Sequence, residues 1–239
     1  MTTPARPVFT QRSLARMIDH TILKPEATKE DVLRIVEEAA THRFASVCVN
    51  GMWTGLVAKT LRATNEGLPE TDRVLTCTVI GFPLGACHPQ AMFHEASVAI
   101  ECGTHEVDMV IPVGSLLGKN YAQVKVAIGA VMNAIGQYGN ATTLKAILET
   151  ALLSEEDIRT ACEICRDNGV DYVKTSTGFH PKGGATIQAV QWLRQYGTGM
   201  KVKASGGIRD LDTALKMIEA GADRLGCSAS VAIIKALPD

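Results

Sequence analysis

Four segments of the chain place an ionisable residue directly after an aliphatic one, inside runs that are otherwise typical of buried β-strands. These pairs are Val107-Asp108, Leu144-Lys145, Val173-Lys174 and Val202-Lys203. Side chains alternate between the two faces of a strand, so an aliphatic residue that packs outward turns its ionisable neighbour inward. Four charged groups would then share one interior, where each ion costs several kcal/mol to remove from water.

Three lysines and one aspartate in a confined space indicate a particular reaction. Ammonium groups that crowd one another lower one another's pKa, so that one lysine becomes a neutral amine near pH 7. A neutral amine attacks a carbonyl carbon and yields a Schiff base. The pattern therefore predicts imine catalysis, with Asp108 moving protons. A purely structural ion network, or lysines at a solvated strand end, would give the same pattern and stays an alternative.

These residues need parallel strands to hold them, and the chain offers eight candidates. β-Branched runs recur at 18–23, 44–49, 74–80, 107–111, 144–148, 172–176, 202–205 and 224–226. Segments with helical spacing lie between them, and glycines stand at several joins, as they do after helix ends. Eight such units without a linker predict an α/β fold, a single (β/α)8 TIM barrel over residues 1–239 with a short N-terminal helix and a flexible leader at 1–12. An open doubly wound sheet is the alternative, although no Gly-x-Gly-x-x-Gly follows the first strand.

Glycine-rich loops follow the last three predicted strands, where a barrel has its active site and often binds phosphate. The candidate phosphate ligands in these loops are Gly178, Gly206, Gly207, Gly226 and Ser228. Glycines let backbone N–H groups reach an anion, and a helix N-terminus adds partial positive charge. Residues 172–209 also contain six basic residues and no acidic one. These features predict a phosphate site, although tight turns alone would also require the glycines.

Composition narrows the class of protein. With 24 basic and 25 acidic residues the formal net charge is -1, so no global basic field exists to hold a nucleic acid or an anionic membrane. The seven cysteines are an odd number scattered through apolar runs, which predicts reduced thiols and a soluble cytoplasmic protein. The basic segment 1–18 also resembles an organelle transit peptide, a second possibility for the leader.

For some other residues we favour a structural role over a functional one. Cys162 and Cys165 fall on the apolar face of a predicted helix, so core packing explains them better than a metal or redox site. Among the histidines, only His20 and His180 are expected near the site, and two unclustered histidines indicate hydrogen bonding rather than metal ligation. Cys48 ends the second strand, where it could meet an aldehyde product, although a small core residue is the simpler role.

At this point the residues support a resemblance to a known family. The stretch from residue 18 to 233 is similar to the deoxyribose-phosphate aldolases, class I aldolases with a (β/α)8 barrel. The motifs that carry the similarity are Asp-His-Thr-Ile-Leu-Lys-Pro at 19–25, Val-Ile-Gly-Phe-Pro-Leu-Gly at 79–85, Glu-Val-Asp-Met-Val-Ile at 106–111, Lys-Thr-Ser-Thr-Gly-Phe at 174–179 and Val-Lys-Ala-Ser-Gly-Gly-Ile-Arg at 202–209.

The resemblance implies reversible cleavage of 2-deoxy-D-ribose 5-phosphate to acetaldehyde and D-glyceraldehyde 3-phosphate, without a metal or other cofactor. Lys174 would form the Schiff base, Lys203 would favour its neutral amine, and Asp108 would work with Lys203 and a water in proton transfer. The resemblance further implies supporting roles for Asp19 and Lys145, and phosphate binding by the glycines and Ser228 named above. Cys48 and Thr177 are further candidates for substrate-binding or supporting roles, and we expect a homo-oligomer, either a dimer or a tetramer.

The chain departs from the family pattern at two places that keep other functions open. His180-Pro181-Lys182 replaces a shorter Ser-Thr segment, and 237–239 lack the terminal Tyr that many members carry. One alternative is therefore a sugar-phosphate-binding barrel without turnover. Another is the same imine chemistry on a different aldehyde acceptor.

Overall fold

The strands of the computed structural model, which describes residues 9–138 and 141–238, follow the predicted order. Within these residues, eight parallel strands pair in sequence and the last pairs with the first, which closes the barrel. They are β1 (Ile18–Ile22), β2 (Ser46–Val49), β3 (Leu75–Ile80), β4 (Glu106–Val110), β5 (Thr143–Ile147), β6 (Tyr172–Lys174), β7 (Lys201–Ser205) and β8 (Arg224–Cys227). The prediction of a (β/α)8 barrel is confirmed, and the doubly wound sheet is excluded.

Helices cover the outside of the barrel and connect successive strands. In the described part of the chain they are α1 (Gln11–Ala15), α2 (Lys29–His42), α3 (Thr54–Thr64), α4 (Pro89–Glu101), α5 (Val113–Leu117), α6 (Tyr121–Gln137), α7 (Glu155–Asp167), α8 (Ile187–Tyr196), α9 (Leu211–Glu219) and α10 (Ser230–Lys235). Helix α1 precedes the first strand, as predicted for the short N-terminal helix. Because it begins at Gln11, it includes the last two residues of the predicted leader, and residues 1–8 lie outside the described residues.

The helices begin where side chains can satisfy their first backbone N–H groups. Ser154 caps α7 by accepting a hydrogen bond from the Asp157 backbone N–H at 3.2 Å, and the Asp157 carboxylate accepts one from the Ser154 N–H at 3.0 Å. The apolar face of α7 packs into the core, where Cys162 and Cys165 are both fully buried. The prediction that these two cysteines serve core packing is confirmed.

The apolar core of the protein lies between the strands and the helices. Val107, Leu144, Val173 and Val202 are each fully buried and belong to one continuous apolar cluster. Burial of an aliphatic side chain of this size stabilises the fold by about 1.5–3 kcal/mol. These outward positions alternate with the ionisable residues, which must therefore face the barrel interior. Among the described residues, no helix is long and apolar enough to cross a membrane.

Candidate active site

Asp108 lies at the centre of the barrel interior and accepts hydrogen bonds from three lysines. Its Oδ1 is 2.9 Å from the Nζ of Lys145, and its Oδ2 is 2.7 Å from that of Lys174 and 2.6 Å from that of Lys203. Strands β4 and β7 are not neighbours, so Asp108 and Lys203 meet across the barrel. The four ionisable side chains thus point into the barrel, as the sequence predicts.

Further ionic groups extend this cluster toward the N-terminal end of the barrel. Asp19 Oδ2 is 2.5 Å from the Nζ of Lys203, and Asp19 Oδ1 is 2.5 Å from the guanidinium of Arg224. Glu106 Oε2 accepts a hydrogen bond from Lys145 at 2.7 Å and lies 3.3 Å from Arg224. We call these seven residues the interior ion network: Asp19, Glu106, Asp108, Lys145, Lys174, Lys203 and Arg224.

Pairing with opposite charges, rather than crowding of like charges, governs most of the network. Burial alone raises the pKa of the Asp108 carboxyl group, but the three ammonium groups outweigh burial and hold that pKa well below its ordinary value. Burial lowers the pKa of Lys145 and Lys203, yet the carboxylates around them, with Asp108 foremost, raise both pKa values above the ordinary range. The expectation that crowding lowers lysine pKa values is therefore wrong for these two lysines.

The network is not balanced in charge. Its four cationic side chains face three carboxylates, which leaves one cation in excess. Lys174 is the most weakly paired, because its ammonium group has a single carboxylate oxygen within ion-pair distance and shares that oxygen with Lys203. Lys145 and Lys203 each contact more than one carboxylate. The imbalance therefore centres on Lys174.

A pocket of about 360 Å³ opens above Lys174 at the C-terminal ends of the strands. Lys174 is the member of the interior ion network that lines it. All the predicted phosphate ligands line it as well, namely Gly178, Gly206, Gly207, Gly226 and Ser228. The structure thus brings the imine candidate and the glycine loops to one cavity. Lys24 and Arg209 also line it and add positive charge.

Two of the glycines are required by close contacts. Gly206 has φ +92°, and a Cβ placed on it would lie 2.9 Å from the Cα of Gly184, so a side chain there would push the loops apart. A Cβ on Gly226 would instead overlap the hydroxyl of Ser205, whose side chain fills that space. Gly226 therefore leaves room for a polar group at the base of the pocket.

Cys48 and Thr177 occupy different places relative to the pocket. Thr177 lines the pocket, and its hydroxyl donates a hydrogen bond to Glu149 Oε2 at 2.5 Å. Cys48 is fully buried in a small apolar cluster with Cys77 and Val79, away from the pocket lining. A hydrogen bond with Cys77 lowers the pKa of Cys48. The core role considered for Cys48 agrees with this placement better than contact with an aldehyde.

Sequence reasoning missed Glu106, Arg224 and Cys77 as members of this interior. Cys77 Sγ lies 3.3 Å from Asp108 Oδ1 and 3.5 Å from the Nζ of Lys145. The signal was present for Glu106, which stands two residues before Asp108 and therefore faces the same side of β4. Glu106 is the first residue of β4, and a charged residue at the start of a strand is ordinarily expected to be in solvent. The sequence alone therefore does not establish that Glu106 belongs to the interior.

The potential metal ligands near the site are engaged with other groups. The ligand atoms of Cys48, Cys77 and Asp108 lie within 4.8 Å of one another, but both Asp108 oxygens already accept lysine hydrogen bonds. His20 is hydrogen-bonded to Glu38 at 2.6 Å, outside the pocket lining. His180 Nδ1 accepts the backbone N–H of Lys182 at 3.2 Å. That catalysis needs no metal stays a prediction, which these contacts support.

Comparison with known proteins agrees with the geometry. The model of the DeoC/LacD family aldolases matches residues 14–235. A deoxyribose-phosphate aldolase of Halalkalibacterium halodurans is 49% identical over 224 residues, which cover 93% of this chain and 95% of that protein. One of Clostridium tetani is 48% identical over 223 residues, with 93% and 98% covered. A structure described as a tetrameric deoxyribose phosphate aldolase from Aeropyrum pernix superposes with a TM-score of 0.85 at 31% identity and covers 95% of this chain and 92% of that one. The chain therefore belongs to the DeoC/LacD family of aldolases.

Proposed function

We propose that the protein is a deoxyribose-phosphate aldolase that cleaves 2-deoxy-D-ribose 5-phosphate to acetaldehyde and D-glyceraldehyde 3-phosphate through an imine on Lys174. One observation carries this proposal: the Lys174 ammonium group stands between the buried Asp108 carboxylate, 2.7 Å away, and a pocket lined by glycine-rich loops. The relatives named above bear the same activity in their names.

The charge imbalance of the interior ion network supports Lys174 as the nucleophile. Of the three lysines, Lys174 has the fewest carboxylate contacts and is the one that lines the pocket, so its amine is placed to meet a substrate carbonyl. Lys145 and Lys203 keep their protons because carboxylates raise their pKa values. The neutral Lys174 amine attacks C1 of the open-chain aldehyde, and loss of water gives the imine.

The remaining steps need a proton acceptor and a proton donor. A base takes the proton of the C3 hydroxyl, the C2–C3 bond breaks, and its electron pair moves into the protonated imine to give an enamine. Glyceraldehyde 3-phosphate leaves, C2 of the enamine takes up a proton, and water releases acetaldehyde from Lys174. Asp108 and Lys203, whose carboxylate and ammonium groups lie 2.6 Å apart, would supply these transfers together with a water.

The phosphate would bind where backbone N–H groups of the loops after β6, β7 and β8 face the pocket. The left-handed conformations of Gly178 and Gly207, at φ +84° and +83°, turn the peptide groups as no other residue does easily. Segment 180–182, which departs from the family pattern, lies outside the described pocket lining. That position supports an unaltered phosphate site.

Borohydride trapping tests the proposal directly. Reduction in the presence of acetaldehyde should leave an ethyl group on Lys174, identified by peptide mapping, and the Lys174→Leu variant should acquire none at that position. A folded protein without an adduct on Lys174 would refute the mechanism. Stabilisation by sugar phosphates without cleavage would instead indicate a binding protein, and faster turnover of another aldehyde in a substrate panel would indicate a different acceptor.

We also propose that the chain forms a homo-oligomer in the cytoplasm. Met52 and Leu84 are 80% and 74% exposed and could take part in a contact between subunits. The Aeropyrum pernix relative is described as tetrameric. All seven cysteines are free thiols, in keeping with a reducing compartment. Light scattering coupled to size exclusion should give a mass of at least two chains.

A further inference from the structure

Glu149 is a buried acidic residue for which the proposed mechanism has no use. It follows β5, is 4% exposed, and adopts a left-handed backbone with φ +58° and ψ +58°. An acidic residue in this conformation is uncommon and is held there by its surroundings. The backbone on both sides is fixed, because Leu148 and Thr150 donate hydrogen bonds to the carbonyls of Lys174 and Thr175 at 3.0 and 2.9 Å.

The Glu149 carboxylate holds Thr177 through two of its groups. It accepts the Thr177 hydroxyl proton at 2.5 Å and the Thr177 backbone N–H at 3.3 and 3.4 Å. A hydroxyl has one proton to donate and two lone pairs that accept. One lone pair accepts the Phe179 N–H at 3.1 Å. The remaining lone pair is left for the pocket, so Thr177 can offer a ligand an acceptor but no donor.

Ser205, at the end of β7, complements Thr177, which follows β6. Its side chain lines the pocket at 5% exposure, and its Oγ has no hydrogen-bond partner among the described residues. Because Ser205 also lines the pocket, its hydroxyl is available to a ligand there. The ends of β6 and β7 are joined here, because the Thr175 hydroxyl donates to the Ser205 carbonyl at 3.1 Å and accepts the Ser205 N–H at 3.0 Å.

The chain presents the same order of groups at the ends of β6 and β7. In each case a lysine of the interior ion network is followed by a hydroxyl side chain and then by a glycine of the phosphate loops: Lys174, Thr177 and Gly178 at β6, and Lys203, Ser205 and Gly206 at β7. In the proposed substrate, a hydroxyl stands on C4, between the carbon chain bound to Lys174 and the phosphate. A hydroxyl both donates and accepts, as this pair of side chains requires.

We propose that Glu149 is a positioning residue that fixes Thr177 as a hydrogen-bond acceptor, so that Thr177 and Ser205 together select aldehydes with a hydroxyl next to the carbonyl carbon. The inference rests on the proposed aldolase function and specifies its acceptor aldehyde. The hydroxyl donates its proton to Thr177 and accepts one from Ser205. An aldehyde without it would leave both side chains unpaired in a buried site, which costs transition-state binding.

The test compares two phosphorylated aldehydes that differ only in this hydroxyl, glyceraldehyde 3-phosphate and 3-oxopropyl phosphate. Each is condensed with acetaldehyde, and the products are followed by mass spectrometry. We expect the wild-type kcat/KM to favour the hydroxylated aldehyde by at least about tenfold. Thr177→Val and Ser205→Ala should each reduce that ratio by about tenfold, mainly through the hydroxylated aldehyde.

Glu149→Gln gives the decisive result. A glutamine amide can donate to the Thr177 hydroxyl, which would release its proton toward the pocket, so we expect a selectivity ratio as low as that of Thr177→Val. Ser176→Ala removes a neighbouring hydroxyl that does not line the pocket and should keep the wild-type ratio. A purely structural role for Glu149 would lower both reactions equally and leave the ratio unchanged, which would overturn the proposal.

Borohydride trapping at Lys174 separates this inference from the function on which it rests. Trapping with acetaldehyde uses no hydroxyl, so it should proceed in wild-type protein and in Glu149→Gln alike. If the wild-type protein is trapped by acetaldehyde but does not prefer the hydroxylated aldehyde, the inference is refuted and the aldolase function is not. Absence of trapping in the folded wild-type protein would refute the aldolase function itself.

Discussion

Removal of the Asp108 carboxylate should unbalance the interior ion network and destabilise the fold. In the wild-type protein four cations face three carboxylates, and the Asp108→Asn substitution leaves two. Asp108 is fully buried, so water cannot compensate the loss. Removing one partner of a buried ion pair costs about 3–5 kcal/mol of unfolding free energy. For a chain of this size that corresponds to a melting point lower by about 6–20 °C.

A second substitution tests whether charge is the cause. Lys145→Met in the Asp108→Asn background restores an excess of one cation, and Glu106 keeps Arg224 as a partner at 3.3 Å. The double variant should therefore regain about 1–4 kcal/mol over Asp108→Asn. If the stability loss came from lost contacts rather than from charge, the double variant would be less stable than Asp108→Asn, because the second substitution removes further hydrogen bonds.

Equilibrium urea unfolding of the wild type, both single variants and the double variant measures the coupling between the two positions. The single Asp108→Asn variant should also gain stability as pH rises toward the lysine range, since loss of an ammonium proton relieves the excess charge. A loss smaller than about 1 kcal/mol in Asp108→Asn, or a double variant less stable than that single one, would refute this reasoning.

Three further outcomes follow from the same geometry. Lys203→Leu removes the excess cation, so imine formation on Lys174 should slow by at least about tenfold at neutral pH and recover as pH rises; an unchanged pH profile in rapid-quench trapping would contradict this. Burial alone raises the pKa of Asp19, but Arg224 and Lys203 outweigh it and hold the pKa below its ordinary value, so its stabilisation is full above about pH 4 and is lost as pH falls further. Urea unfolding should show a smaller acid loss in Asp19→Asn than in the wild type. Gly206→Ala, which meets the Cα of Gly184 at 2.9 Å, should lower kcat/KM for phosphorylated substrates by roughly tenfold or more and leave acetaldehyde trapping intact.

The barrel and the inward direction of Asp108, Lys145, Lys174 and Lys203 were predictable from the sequence, because both depend on the two-residue alternation of strands. The resemblance added the division of roles among them, which alternation does not contain. The lengths of the strands were harder to predict from the sequence. Strand β6 ends at Lys174 rather than at Ser176, and beyond it the Thr175 hydroxyl donates a hydrogen bond to the Ser205 carbonyl at the end of β7.

Other features depend on contacts between distant parts of the chain. Glu149 gave no sequence signal, because nothing in a Glu-Thr pair indicates a left-handed backbone. The high pKa values of Lys145 and Lys203 were also not predictable, because the closeness of both ammonium groups to the Asp108 and Asp19 carboxylates appears only in three dimensions. Gly226 is a predicted phosphate ligand, and its close approach to the Ser205 hydroxyl appears only in three dimensions.

Because side chains alternate along each barrel strand, packing against the helices and the proposed chemistry depend on different, adjacent residues. Val107 and Val202 face the helices, whereas Asp108 and Lys203 face the interior of the barrel, where the proposed reaction takes place. Substitutions at the outward positions can therefore change the packing of the shell, and with it the rigidity of the barrel, while the amines and carboxylates inside keep their places. On these strands the residues that pack against the helices stand one position away from those proposed to act on the substrate.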